Sequence, residues 1–156
     1  MKRIRVMANT YTSLQYHVVF TTKRREPWLD EDVCRRLWPY LGGIARENGM
    51  KALEIGGVAD HIHLLLVLPP NLALSKAMQL LKGVSSRWVH ENFPTLRDFG
   101  WQDGYGAFTV SESQITSVRN YIRNQPEHHR TTTFADEYRA FLEKHGIEFE
   151  ERYLLG

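Results

Sequence analysis

Two short stretches of this chain carry side chains that could do chemistry together. The first is His61-Ile62-His63, which opens the apolar run Leu64 to Leu68. That composition reads as a strand, and residues i and i+2 of a strand project from the same face. Both imidazoles therefore point one way while Ile62 points the other, a spacing at which two ring nitrogens can chelate one divalent ion. Asp60 precedes the pair, points away from its face and is not counted as a ligand. Leu65 and Leu66 stand where a longer histidine motif would place further ligands, so an oxygen donor has to come from elsewhere. Taken alone, such a pair is weak evidence of a metal site and more often two partly exposed polar side chains facing solvent.

The second stretch is Tyr121-Ile122-Arg123-Asn124-Gln125. On a helix, Tyr121 and Gln125 are four apart and share a face, whereas Arg123 lies on another. A glutamine amide oxygen is a hard donor suited to Mg²⁺ or Mn²⁺ beside imidazole. A tyrosine next to a metal-polarised phosphate is the arrangement for covalent phosphoryl transfer. Free tyrosine has a pKa of about 10, so ionising it at pH 7 costs about 4 kcal/mol. It needs a polarised phosphate, a proton acceptor, or both, and the histidine pair supplies what the tyrosine lacks. Read singly, Tyr121 is a packed aromatic and Gln125 a polar residue at a helix end.

The elements that must position these groups are readable along the chain. Leu14 to Thr22 alternates and is rich in β-branched and aromatic residues, which predicts a strand. Asp30-Glu31-Asp32 open a helix carrying Val33, Leu37, Leu41 and Ile44 at helical spacing, ended by Asn48-Gly49. Lys51 to Val58, closed by Gly56-Gly57, and His61 to Leu68, stopped by Pro69-Pro70, are two further strands. A long helix follows, with Leu74, Ala77, Met78, Leu81, Val84 and Trp88 in one stripe. Trp101 to Val110 is a Gly-rich fourth strand, and Ser111 and Gln114 have capping-box spacing for a helix from Ile115 to about Asn124, which Pro126 ends. Phe134 to His145 is a last amphipathic helix. The order β-α-β-β-α-β plus two helices predicts an α+β, ferredoxin-like antiparallel sheet with helices on one face and a C-terminal helical extension.

Composition sets the frame. The chain has 156 residues, 42% hydrophobic and 24% charged, a formal net charge of +2 and one cysteine, Cys34. That is the size of one domain, taken as 1–156, large enough to need no disulfide or structural metal to hold its core. No apolar run reaches the roughly 18 residues of a membrane span, so a cytoplasmic protein without a membrane partner is expected. Residues 1–36 hold eight basic side chains, Lys2, Arg3 and Arg5 among them, against four acidic ones, while residues 133–156 hold three against six. A polyanion would therefore meet the N-terminal part. Lys23, Arg24, Arg25, Lys82 and Arg87 are candidate contacts to DNA phosphates. His128 and His129 read as packing or surface residues, His17 as packed on the sheet, and Trp88, Trp101 and Phe108 as core.

Several longer segments give these motifs a family context: YHVVFTTKRREPWL, GGVADHIHLLLVLPP, SKAMQLLKGVSSRWVHENFP, WQDGYGAFTVSES and YIRNQPEHHRTTTFADEYRAFLEKHGIEFEERYLLG. Together they resemble, nearly end to end, the small single-tyrosine HUH transposases of the IS200 insertion-sequence type, HUH standing for His-hydrophobe-His. The resemblance implies a metal-dependent enzyme that cleaves and rejoins single-stranded DNA, of the kind formed by hairpin-forming element ends. It implies that His61, His63 and Gln125 hold Mg²⁺ or Mn²⁺, and that Tyr121 forms a 5′-phosphotyrosine and releases a 3′-OH. It further implies a homodimer in which the tyrosine helix of one chain can serve the histidines of the other. The rival expectation is a non-catalytic single-strand-binding module of the RNA-recognition type, which shares the element order. Against it, no RNP-like aromatic run is present, and HIHLLLV occupies the central strand.

Overall fold

The structure is a computed structural model, and it describes residues 9–154. Lys2, Arg3 and Arg5 of the basic N-terminal segment lie outside the described residues. Four strands, β1 (Gln15–Thr21), β2 (Lys51–Val58), β3 (His61–Val67) and β4 (Gly106–Thr109), pair antiparallel in the order β2-β3-β1-β4. Helices α1 (Glu31–Glu47) and α2 (Leu74–Asn92) cover one face. Alternation decides which side chains they meet: Val18 and Phe20 of β1 and Ile62, Leu64 and Leu66 of β3 pack against Leu37, Leu41, Met78 and Leu81. Asp30 caps α1, its carboxylate accepting from the Val33 amide at 2.9 Å, and Gly49 at φ +77° turns the chain out of it. Among the described residues no helix is long and apolar enough to cross a membrane.

The second face of the sheet is covered too. Helices α3 (Ile115–Arg123), α4 (Gln125–His128) and α5 (Phe134–Lys144) follow β4. Leu65 packs with Ile122 and Val110, and Val19 and Phe108 pack with Phe134, Tyr138 and Leu142. Pro126 ends α3 as expected, and it also sits in the first turn of the short α4.

Three local expectations are corrected. The fourth strand starts at Gly106 and not at Trp101, which makes only a single bridge to Thr22. The residues between are held by one backbone bond, from the Gln102 amide to the Thr21 carbonyl at 3.0 Å, and by side chains: the Gln102 side-chain oxygen accepts from the Thr21 amide at 2.6 Å, and the Lys82 ammonium donates to the carbonyls of Gln102, Asp103 and Gly104. Ser111 forms no cap bond to the backbone, because residues 112–114 tighten into a 3-10 turn and its hydroxyl meets that of Ser113 at 3.1 Å. Gly56 and Gly57 do not close β2; they pair with His63 and Ile62 inside it.

Candidate active site

The face that α1 and α2 leave free receives His61 and His63, placed beside Thr21 and Val19 by the β1–β3 register. Neither faces solvent; both are 0% exposed. The cover is α3, seated on β2 by two features of sequence. Arg119 Nε and Arg123 Nε both reach Glu54 Oε1, at 3.3 and 3.0 Å. Opposite them Gly56 gives clearance: a Cβ there would lie 2.6 Å from the Ile122 carbonyl oxygen. This seat hangs Tyr121 and Gln125 over the histidine pair. Gln125 Oε1 is 3.3 Å from His61 Nε2, and the Tyr121 and His63 ring centroids are 5.8 Å apart. The four residues singled out as a chemical set in the sequence are therefore brought together, and within one chain.

Two more groups enter that the sequence reading passed over. His129, expected to pack or face solvent, puts its Nε2 3.1 Å from His61 Nε2. Glu137 of α5 puts Oε1 3.0 Å from His63 Nε2, 3.2 Å from His129 Nε2 and 3.6 Å from His61 Nε2. Its other oxygen, Oε2, accepts from the Tyr121 hydroxyl and from Gln125 Nε2 at 3.2 Å. His128 Nε2 lies 3.2 Å from the same hydroxyl. A signal for Glu137 was available: it falls on the apolar stripe of its helix between Phe134, Tyr138 and Phe141, where a carboxylate must be buried and therefore paired.

Outer contacts orient the rings. Asp60 is no ligand, but its Oδ1 meets His61 Nδ1 at 2.8 Å while Arg25 holds its Oδ2 at 3.3 Å. His17 Nε2 meets His63 Nδ1 at 2.8 Å. Both Nε2 atoms of the pair are thus directed toward Glu137.

Burial dominates the electrostatics. It pushes His17 down to about 3, helped by the charge of His63, and His63 down to about 4 against the opposing pull of Glu137. Burial and then the Glu137 carboxylate raise the Tyr121 phenol, which keeps it protonated at rest. For Glu137, burial favours the acid form, but hydrogen bonds from His129, His63 and Tyr121 outweigh it and hold the carboxyl well below the usual range. The donor atoms of His61, His63, His129 and Glu137 all lie within 4.8 Å of one another. Imidazole and carboxylate donors converging at that range fit a divalent metal ion.

The basic candidates divide. Lys23 and Arg24 are exposed on a 3-10 turn, Lys23–Arg25, and Arg25 borders the site through Asp60. Beside His129 a groove of about 390 Å³ is lined by Arg25, Asp60, Arg130 and the threonines at 131–133. Lys82 and Arg87 belong to α2, across the sheet, where Lys82 lies over the Phe20 ring and burial lowers its pKa to about 8 against the opposing charge of Asp103.

The strand histidine pair thus lies beneath Tyr121 of α3 and Gln125 of α4; the single helix expected to carry both residues is broken at Asn124, whose φ of −92° and ψ of 15° depart from helical values. Residues 10–125 match the family model described as "Transposase IS200 like". The chain belongs to the IS200-like transposase family. It is 32% identical over 117 residues to the ISDra2 transposase TnpA of Deinococcus radiodurans, covering 72% of this chain and 84% of that protein. It is 33% identical over 127 residues to the transposase for insertion sequence element IS200 of Salmonella typhimurium, covering 78% and 82%. A crystal structure of a transposase from Deinococcus radiodurans superposes with a TM-score of 0.64 at 32% identity, over 80% of this chain and 98% of that one. A REP-associated tyrosine transposase, solved bound to a REP hairpin, shares the fold with a TM-score of 0.58 at 14% identity, over 83% and 74%. The α+β architecture predicted from sequence is therefore that of a transposase.

Proposed function

We propose that this IS200-like transposase cleaves and rejoins single-stranded DNA with Tyr121 as nucleophile. The observation that carries the reading is the meeting of the Tyr121 hydroxyl with the convergent donors of His61, His63 and Gln125 across Glu137. His61, His63 and Gln125 would hold Mg²⁺ or Mn²⁺, which when bound polarises a phosphate oxygen and offsets the charge that develops there. Tyr121 Oη then forms a bond to phosphorus as the bond from phosphorus to O3′ breaks, giving a 5′-phosphotyrosine and a free 3′-OH. The phenol is protonated at rest, so an acceptor must be in reach. The hydroxyl donates to Glu137 Oε2 and lies 3.2 Å from the His128 imidazole, so these two groups are the acceptors in reach. The tyrosyl phosphodiester conserves the energy of the bond that broke, so a 3′-OH can reverse the step without ATP.

The same proposal takes 1–156 as one working domain in the cytoplasm, with the DNA backbone passing Lys23, Arg24 and Arg25. By analogy with the hairpin-bound relative, the substrate is a single strand that folds into a hairpin. A homodimer with shared sites is part of the proposal. Mixing His63→Ala with Tyr121→Phe chains restores cleavage if the tyrosine of one chain serves the histidines of the other. If each chain instead uses its own Tyr121, as the single-chain geometry permits, the mixture stays inactive. The reading as a whole is tested by incubating labelled single-stranded hairpin DNA with the protein and looking for a denaturant-stable adduct. EDTA should abolish the adduct, and Mg²⁺ or Mn²⁺ should restore it; undiminished cleavage in chelator would refute the metal assignment.

A further inference from the structure

Five Lewis-basic atoms converge between β3 and the C-terminal helices at the spacing that the ligands of a single cation have. Asp60 Oδ1, 2.8 Å away, takes the proton of His61 Nδ1, so in the neutral ring Nε2 is a bare lone pair. That lone pair points into the cluster, 3.1 Å from His129 Nε2, 3.3 Å from Gln125 Oε1 and 3.6 Å from Glu137 Oε1. The Gln125 orientation is set by its amide nitrogen, which donates to Glu137 Oε2 at 3.2 Å. His129 Nε2 stands 3.1 Å from His61 Nε2 and 3.2 Å from Glu137 Oε1, and His63 Nε2 stands 3.0 Å from that same oxygen. Three ring nitrogens thus surround one carboxylate oxygen, at 3.0, 3.2 and 3.6 Å. Donors bound to one ion at about 2.1 Å are themselves about 3 to 3.5 Å apart, the spacing these atoms already have.

We propose that His129 and Glu137 are metal ligands alongside His61 and His63, so that the C-terminal segment completes the metal site. Both residues lie beyond the span 10–125 that matches the family model. An ion held this way ties the chain after α3 to the central strand, because the ligands come from β3, from the end of α4 and from α5. A third imidazole also makes the site softer than two imidazoles and an amide, which favours Mn²⁺ over Mg²⁺.

This inference rests on the reading of His61 and His63 as metal ligands, and the test separates the two. The wild-type protein is loaded with Mn²⁺, and directly bound imidazole nitrogens are counted by pulsed electron paramagnetic resonance. Mn²⁺ affinity is then titrated for wild type, His129→Asn, Glu137→Gln and His63→Ala. Three imidazole nitrogens, with losses of about tenfold or more in both His129→Asn and Glu137→Gln, are expected. Two nitrogens in the wild-type protein, or both variants within twofold of wild type, would overturn the proposal. No Mn²⁺ binding at all, or full binding by His63→Ala, would instead remove the metal reading beneath it. The nitrogen count uses only the intact wild-type chain, so a variant that fails to fold does not leave the question open.

Discussion

Replacing Gly56 by alanine adds one methyl group beneath α3 and tests whether the seat of that helix governs the chemistry. The new carbon would lie 2.6 Å from the Ile122 carbonyl oxygen and 3.0 Å from Ile122 Cγ2. An unstrained contact needs about 3.4 Å, so α3 must rise by about 0.8 Å against the ion pairs from Arg119 and Arg123 to Glu54. Overpacking of this kind costs about 1–3 kcal/mol, and removing a glycine from a strand returns about 0.5–1 kcal/mol. The net expectation is a loss of about 1–2 kcal/mol in urea unfolding. Tyr121 is the neighbour of Ile122 and moves with it, and a misplacement of about 1 Å at a reacting group can cost about 100-fold in rate. Adduct formation with labelled single-stranded hairpin DNA should therefore slow by about 10- to 100-fold while circular dichroism stays native. Gly83→Ala is the control: nothing lies within 4 Å of its added carbon, so it should gain up to about 1 kcal/mol of helix propensity and keep the wild-type rate. A Gly56→Ala protein as stable and as fast as wild type would mean that this close approach does not set the position of Tyr121.

Tyr121→Phe should lose both cleavage and adduct in the gel assay, yet cost only about 1 kcal/mol in urea unfolding, since Glu137 Oε2 keeps its bond from Gln125; an adduct on another tyrosine would reassign the nucleophile. The metal-free protein should weaken in acid. His17 and His63 have folded pKa values lowered to about 3 and about 4, so below the unfolded value of 6.5 the unfolded chain binds the extra protons and stability falls with pH. Between pH 7 and 5 each histidine removes about 2 kcal/mol, visible as a falling urea midpoint in EDTA, and a flat midpoint would contradict the burial argument. Lys82→Ala should destabilise by about 1–2 kcal/mol because the carbonyls of Gln102, Asp103 and Gly104 lose their donor. Its affinity for single-stranded DNA, read by fluorescence anisotropy, should not change; a marked drop would show that the ammonium meets phosphate after all.

Most of what local physics controls was legible in the residues. Strand alternation at Gln15–Thr21 and His61–Val67, the Asp30 cap and the apolar stripe of α2 follow from side-chain periodicities that need no distant partner, and they fix the β-α-β-β-α-β order. The same periodicity put both imidazoles on one face and set Tyr121 one turn from Gln125, although the helix breaks at Asn124 and leaves Tyr121 in α3 and Gln125 in α4. Where a distant side chain intervenes, the local reading fails. Trp101 to Tyr105 have strand composition, yet Lys82, about twenty positions earlier, occupies the carbonyls that a strand would pair.

The site shows the division most clearly. Sequence spacing put His61 and His63 on one strand face and Tyr121 about one helical turn before Gln125, because two and four residues are close to the repeat distances of strand and helix. Only the tertiary structure decided that the pair is buried, because the C-terminal helices close a sheet face that the element order alone leaves open. It alone brought Glu137 to His63 across 74 positions and His129 to His61 across 68. No periodicity encodes contacts at such separations; they exist because α5 buries Phe134, Tyr138 and Leu142 on that face and carries its one buried carboxylate in with them.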